Sequence, residues 1–309
     1  MTPSSIAVCI PTYRRPEFLR GVLESLAAAD IAGFTMHLIV VDNDATGSAR
    51  ATVEQFATAF PSLIFGIQPE RGIAAARNQL VAAARQVDAE YVAFVDDDEW
   101  VESGWLKHLV RAAQVHRAGA VAGPVVPDYD DGVPGWVVAG GFFDERPRRR
   151  TGDVVRVLGM GNVLIERAWL DRLDGPFDQR LALAGGEDPD LWARLFQLGL
   201  QMIWCDEAVV HERIPASRAT ARWILQRQVN YGITGSRLVR RFEPSPVRTA
   251  VRAGRTFGRI GQGLLLLLPS LFRGRSATVR SLQYCARGVG GVVGLVGVTF
   301  QEYRHIHGR

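Results

Sequence analysis

Three consecutive carboxylates, Asp96, Asp97 and Asp98, close the apolar run YVAFV. Like charges this close repel, and a divalent cation relieves the repulsion. Hard oxygen ligands suit Mg2+ or Mn2+, which would bridge to the two phosphates of a nucleotide and stabilise a departing diphosphate. A solvated acidic turn or the N-terminus of a helix would use the same residues without chemistry. A phosphatase nucleophile is excluded because its DxDx[TV] pattern is absent. A Walker B acid is excluded because Lys107 is the only lysine in the chain and no GxxxxGK[ST] loop exists. Further on, GGEDPDLW places Glu187, Asp188 and Asp190 at the start of an amphipathic segment. There a carboxylate either caps the helix or takes the proton of an incoming hydroxyl. His211 ends another apolar stretch, where an imidazole is either structural or a metal ligand.

These groups need elements to hold them. IAVCI (6–10), HLIVVD (37–42), LIFGI (63–67) and YVAFV (91–95) are apolar runs, each followed by a helical pattern, near 16–26, 47–60, 73–87 and 103–117. Such alternation predicts an α/β fold, a Rossmann-like, mostly parallel sheet with helices on both faces, whose ligand sits beyond the carboxyl ends of the strands. The second half reads as a strand over 120–126, a Gly- and Pro-rich surface loop over 128–152, and a strand over 162–166. A helix from about Pro189, extended structure over 202–212 and an Arg-rich helix over 216–242 follow.

Charge is unevenly distributed. From Arg213 onward there are seventeen arginines and two acids, Glu243 and Glu302, a balance of +15; with +4 overall, residues 1–212 carry −11. The basic part holds two apolar stretches, 263–272 and 288–300, interrupted by Pro269 and by glycines and shorter than the roughly 20 residues of a spanning helix. An anionic membrane surface fits this pattern better than nucleic acid, because an RNA-binding arm would be polar throughout. Three dispersed cysteines and no leader-like start predict a reducing, cytosolic setting without a disulfide framework.

In order, CIPTYRR, VVDN, RGIAAARN, FVDDDE, GNVLI, GGEDPDLW and VVHE resemble the family 2 glycosyltransferases of the GT-A fold over about residues 5–235. The resemblance implies an enzyme that takes a sugar from a nucleotide diphosphate. It implies that Pro11, Thr12 and Tyr13 pack on the nucleoside, that Asp42 and Asn43 contact the base, and that Gly72, Arg77 and Asn78 lie against the nucleotide. Asp96 would face the ribose, with Asp97 beside it, Asp98 would hold Mg2+ or Mn2+ with His211 nearby, and Asp188 would be the general base of an inverting displacement. TYRRPE, DNDA and VHERIPASRATARWILQR further resemble the bacterial enzymes that build succinoglycan-type exopolysaccharide. This implies UDP-glucose as donor and a polyprenyl-diphosphate-linked oligosaccharide as acceptor, at the cytoplasmic face of the inner membrane. Other donors, dTDP-rhamnose, UDP-galactose or GDP-mannose, would use the same motifs. A sugar nucleotidyltransferase would need a Gly-rich loop after the first strand, which PTYRRPE lacks. The processive QxxRW motif is also missing, since Ala219 stands three residues before Arg222. The expected organisation is a catalytic domain over 1–241 and a basic, apolar, helical membrane-associating region over 242–309.

Overall fold

The computed structural model describes residues 4–144, 149–156, 159–181 and 185–297. Strand β1 (Ser4–Thr12), helix α1 (Pro16–Ala28), β2 (Phe34–Asp42), α2 (Arg50–Glu54), β3 (Leu63–Ile67), α3 (Ile73–Gln86) and β4 (Tyr91–Phe94) form the first half. They are followed by β5 (Glu99–Val101), α4 (Trp105–His116), β6 (Ala120–Ala122), β7 (Val125–Tyr129), α5 (Gly135–Gly140), β8 (Val163–Glu166) and α6 (Arg167–Leu170). The chain continues through α7 (Glu187–Gln197), β9 (Met202–Trp204), β10 (Val210–Ile214), α8 (Ala221–Phe242), α9 (Pro246–Leu271) and α10 (Arg275–Leu295).

Seven strands form the main sheet in the order β3-β2-β1-β4-β8-β6-β9. Only β8 runs antiparallel to its neighbours. The alternation of β1 shows how the core divides: Ile6, Val8 and Ile10 pack with α1 and α4, whereas Ala7 and Cys9 pack with α3 and α7. The first connections move outward from β1 to β3, and the chain then returns to β4 on the other side of β1. The crevice opened by that reversal lies beyond Thr12 and Phe94, the last residues of the two strands.

Three expectations change in detail. The helix near 47–60 shortens to α2, because Gln55, Phe56 and Ala57 donate to carbonyls three residues back and the segment tightens into turns. The single strand over 120–126 is two strands in different sheets, parted at Gly123-Pro124. There a Cβ on Gly123 would stand 2.3 Å from the Ala208 carbonyl oxygen. The extended run 202–212 switches at the same level, so that β5, β10 and β7 build a second, three-stranded sheet under the crevice. Asn162, buried with φ +56°, ties this junction: Nδ2 donates to the carbonyls of Pro124 and Ala208, and Oδ1 accepts from the Trp105 indole at 2.7 Å.

The basic tail is a pair of long helices. Pro269 does not interrupt α9 but sits in its last turn, where few backbone bonds depend on it. Among the described residues no helix is long and apolar enough to cross a membrane. The glycines of α10 form its seams with the neighbouring helices. A Cβ on Gly290 would lie 2.0 Å from Val229 O of α8, and one on Gly288 would lie 2.9 Å from Thr256 O of α9. Thus α10 is sandwiched between α8 and α9. In an isolated helix, replacing Gly290 with Leu would gain about 1 kcal/mol of propensity. In this seam it should instead cost about 1–3 kcal/mol by overpacking, read as a lower midpoint of chemical denaturation.

Candidate active site

The crevice gathers acids from three elements and matches each to an arginine. Thr12 at the end of β1 donates its hydroxyl to Asp97 at 2.8 Å. Arg15, at the entrance to α1, reaches both Asp97 (3.3 Å) and Asp98 (3.2 Å). Arg218, in the loop after β10, bridges Asp98 at 3.1 Å and Glu212 at 2.6 Å. Arg77 on α3 joins Asp96 (3.3 Å), Glu187 (3.2 Å) and Asp188, linking the end of β4 to the start of α7.

Burial decides the protonation of this cluster. Asp98 is pushed up to about 7, first by burial and then by the Glu212 charge, with Arg218 opposing. Burial raises Asp97 as well, with Arg15 opposing. Asp188 is held well above the usual carboxylate range by burial, with the Arg77 charge pulling the other way. Glu99 is also raised well above its ordinary value, by burial and then by Asp96. Its Oε2 accepts the Asp96 backbone N–H at 2.8 Å. A Cβ on Gly161 would come within 2.3 Å of Glu99 Oε1, so a side chain there would push this carboxyl aside.

The second loop is a brace. Pro11 lies buried within β1, paired in register with Val41. Asp42 is fully buried and accepts from the backbone N–H groups of Asp44 (2.9 Å) and Ala49 (2.7 Å). Asn43 donates to the carbonyls of Gln68 and Glu70 and accepts from the Gly72 N–H at 2.7 Å. Both side chains are therefore engaged with backbone, and the loops they brace bear Asp44 and Arg71; Tyr13, from the loop after β1, is flanked by the guanidinium groups of Arg14 at 5.2 Å and Arg71 at 5.5 Å. Arg14 also pairs with Asp44, and this hydrogen bond holds the Asp44 carboxyl down at about 2. Asn78 exchanges two hydrogen bonds with the backbone of Phe177, clamping the segment that leads to α7.

Helix α7 begins at Glu187, two residues before the expected start, so Glu187 and Asp188 lie in its first turn. Gly186 enters it with φ +88°, a left-handed backbone that favours glycine. Asp188 is held by Arg77 rather than by capping N–H groups.

The structure does not bring His211 to Asp98. Its ring stacks on Trp100 at 5.4 Å and its Nε2 meets Glu102 at 3.0 Å. Neighbouring strand residues point to opposite faces, so the next residue, Glu212, is the one that shares Arg218 with Asp98. Among the described residues no group of three or more His, Cys, Asp or Glu is arranged to hold a metal. The donor set still suits Mg2+ or Mn2+, which are bound through one or two carboxylates plus substrate phosphates, and Asp98 with Glu212 is such a hard-oxygen pair. Sequence reasoning missed Arg15, Arg218, Glu99 and Glu212 as members of the cluster.

A mixed sheet with acids at the switch point, a second acidic helix start opposite and an aromatic rim defines a nucleotide-sugar transferase of the GT-A type. Residues 7–174 match glycosyl transferase family 2, and the chain belongs to that family as a glycosyltransferase. It is 34% identical over 295 residues to the succinoglycan biosynthesis protein ExoM of Rhizobium meliloti (strain 1021), covering 94% of this chain and 93% of that one. Among solved structures, the fold is similar to the mannosyltransferase PcManGT of Pyrobaculum calidifontis in complex with GDP-Man and Mn2+. The TM-score is 0.65 at 19% identity, covering 94% of this chain and 86% of that one. It is also similar to Staphylococcus aureus TarS 1-349 in complex with UDP, with TM-score 0.55 and 16% identity over 97% and 93% of the two chains.

The raised Glu99 carboxyl yields a prediction with a definite sign. A group whose folded pKa lies above its unfolded value of 4.5 holds a proton that the unfolded chain releases, so stability falls as pH rises through that interval. Glu99→Gln keeps an oxygen for the Asp96 N–H and removes the penalty. The variant should be at least as stable as the parent at pH 8 and should lose less stability between pH 5 and pH 8, as followed by thermal melts across that range.

Proposed function

We propose that the protein is an inverting, single-addition glycosyltransferase that moves a sugar, glucose from UDP-glucose, onto a polyprenyl-diphosphate-linked oligosaccharide in exopolysaccharide assembly. The observation that carries this reading is the Arg77 clamp. It ties the strand-end acid Asp96, through Nη2, and the helix-start acid Asp188, through Nη1, to one guanidinium, so that a leaving-group side and a base side face one crevice. Likeness to ExoM over nearly the full length of both chains supports the pathway. The neighbours solved with UDP and with GDP-Man support a nucleotide-linked donor.

In this reading Tyr13, with Pro11 and Thr12 behind it, packs on the nucleoside at the rim braced by Asp42, Asn43 and Gly72. Asp96, the more exposed acid of the triplet, faces the ribose, and Asp98 with Glu212 would hold Mg2+ or Mn2+, which when bound neutralises the departing diphosphate. Asp188 accepts the proton of the acceptor hydroxyl as that oxygen attacks the anomeric carbon. Arg77 orients the Asp188 carboxylate and limits its basicity. Burial raises the Asp188 pKa, and the opposing Arg77 charge favours the ionised form that can accept a proton.

A membrane-surface location follows from α9. Phe257, Leu264, Leu265, Leu268 and Phe272 are exposed on one side of it, Leu265 at 80% and Phe272 at 87%. Of the arginines at helical spacing along it, Arg248 and Arg255 are exposed, whereas Arg252 turns inward to Ser236 and the Gly232 carbonyl of α8. A helix with an apolar face beside a cationic flank lies in the interfacial plane, each basic residue near an anionic leaflet adding about 1 kcal/mol. The inner-membrane, cytoplasmic face is the one that meets nucleotide sugars.

Release of nucleotide from a panel of UDP-, GDP- and dTDP-sugars, with membranes and with or without Mn2+, tests the reaction and the donor. Asp98→Asn should lose most turnover and bind UDP weakly, and full activity in EDTA would contradict the metal role. Asp188→Asn should lower turnover about 10²- to 10⁴-fold with donor affinity nearly unchanged. An equal loss of UDP affinity would assign Asp188 to the phosphates instead.

A further inference from the structure

A cavity of about 330 Å³ opens between α5, α8 and α10, lined by Phe142, Gln228, Tyr231, Arg280, Gln283 and Arg287. That is at the small end of the range for ligand pockets. Its two charged groups are both cationic. Arg280 and Arg287 lie two turns apart on α10, about 10 Å along the axis, and both long side chains reach the same cavity. Arg280 lies 5.8 Å from the Phe142 ring and donates to the Gly140 carbonyl; Arg287 lies 5.3 Å from the Tyr231 ring. Among the described residues neither guanidinium has a carboxylate within ion-pair distance, whereas every arginine around Asp96–Asp98 has one. The surroundings add more positive charge. Arg252 and Arg259 on α9 are pushed below the usual guanidinium value by burial and then by neighbouring arginines, Arg287 among them. From Pro244 to Gln301 the chain contains no acid that could compensate.

The cavity also connects to the reacting centre. Phe142 is followed by Phe143, which stacks on Trp223 at 5.3 Å. Trp223 lies 4.9 Å from the Arg218 guanidinium, and Arg218 holds Asp98. An anion seated between Arg280 and Arg287 therefore stands at one end of an aromatic path whose other end is the acid cluster.

We propose that this cavity binds the diphosphate of the lipid-linked acceptor. Arg280 and Arg287 take the two phosphates, and Gln228 and Gln283 supply neutral donors. The inference rests on the lipid-linked acceptor reading above. It adds a discrete, concave site to what would otherwise be only a charged surface, since a membrane leaflet offers single phosphates on a plane and needs no pocket.

The test measures binding of the full-length protein to phosphatidylcholine vesicles carrying either undecaprenyl diphosphate or phosphatidylglycerol at matched surface charge. Affinity for the diphosphate vesicles should be about tenfold higher, the scale of one added charge-assisted contact. Methylenediphosphonate should abolish the difference. Arg280→Ala with Arg287→Ala should bring binding down to the phosphatidylglycerol level while UDP affinity and melting temperature stay as in the parent. Equal binding to the two vesicles, or a preference that survives both the competitor and the double substitution, would overturn the proposal. Should the preference hold while no sugar is transferred to lipid-linked oligosaccharide, the pocket stands and the acceptor assignment of the preceding section falls.

Discussion

The site depends on one guanidinium. Asp96 and the Glu187-Asp188 pair come from elements far apart in the chain and meet at this one group, Asp188 where burial penalises charge. Without a cation between them they would repel or take up protons. Arg77 supplies that cation from α3, a helix whose Ala74, Ala76 and Leu80 are fully buried against the sheet, so its guanidinium is delivered from a rigid base. Isolated buried ion pairs are poor sources of stability, but removing one partner of such a pair leaves an uncompensated charge and costs about 3–5 kcal/mol. The same logic repeats at Arg15 and Arg218, which divide Asp97, Asp98 and Glu212 between them. A cleft built this way is a set of acids held ready by arginines that a diphosphate could draw off.

Much of this was legible in the sequence because it is local. Apolar runs ending in polar residues located β1 to β4, and strands of one parallel sheet must end at one edge, so the convergence of Thr12, Asp42 and Asp96 followed. Partners were not legible, because nothing in the string PTYRRPE tells which of Arg14 and Arg15 turns inward. Arg14 in fact pairs with Asp44 at the rim and Arg15 with the triplet. Asp42 and Asn43 show a different gap. Their position at the end of β2 was readable, but their use as braces depends on where the backbone of residues 44–49 and 68–72 lies. The exchange of His211 for Glu212 beside Asp98 is a matter of strand register, where one residue moves a side chain to the opposite face.

The tail shows how composition can be right about chemistry and silent about packing. Its arginines and leucines are read directly from the string as a basic, partly apolar segment. Its glycines, which read as interruptions, are instead the positions at which α10 approaches α8 and α9 closely enough for backbone to touch backbone. The sandwich turns the leucines of α9 outward, because the inner side of the helix is already used by Thr256, Gly263 and Ser270. A boundary drawn at residue 241 therefore separates charge and composition, but it does not separate packing.

Helix α8 joins these two halves. At its start Trp223 stacks on Phe143 beside Arg218; in its middle Gly232 and Ser236 seat α10; toward its end Arg237 donates to the Gly185 carbonyl at 2.6 Å and Arg241 pairs with Asp190 at 2.8 Å. One rigid element thus touches the Asp98 acid cluster through Trp223 and Arg218, helix α7 through Arg237 and Arg241, and the α9–α10 pair through its glycine seam. The distance from the exposed face of α9 to Asp188 is consequently set by packed helices rather than by a linker.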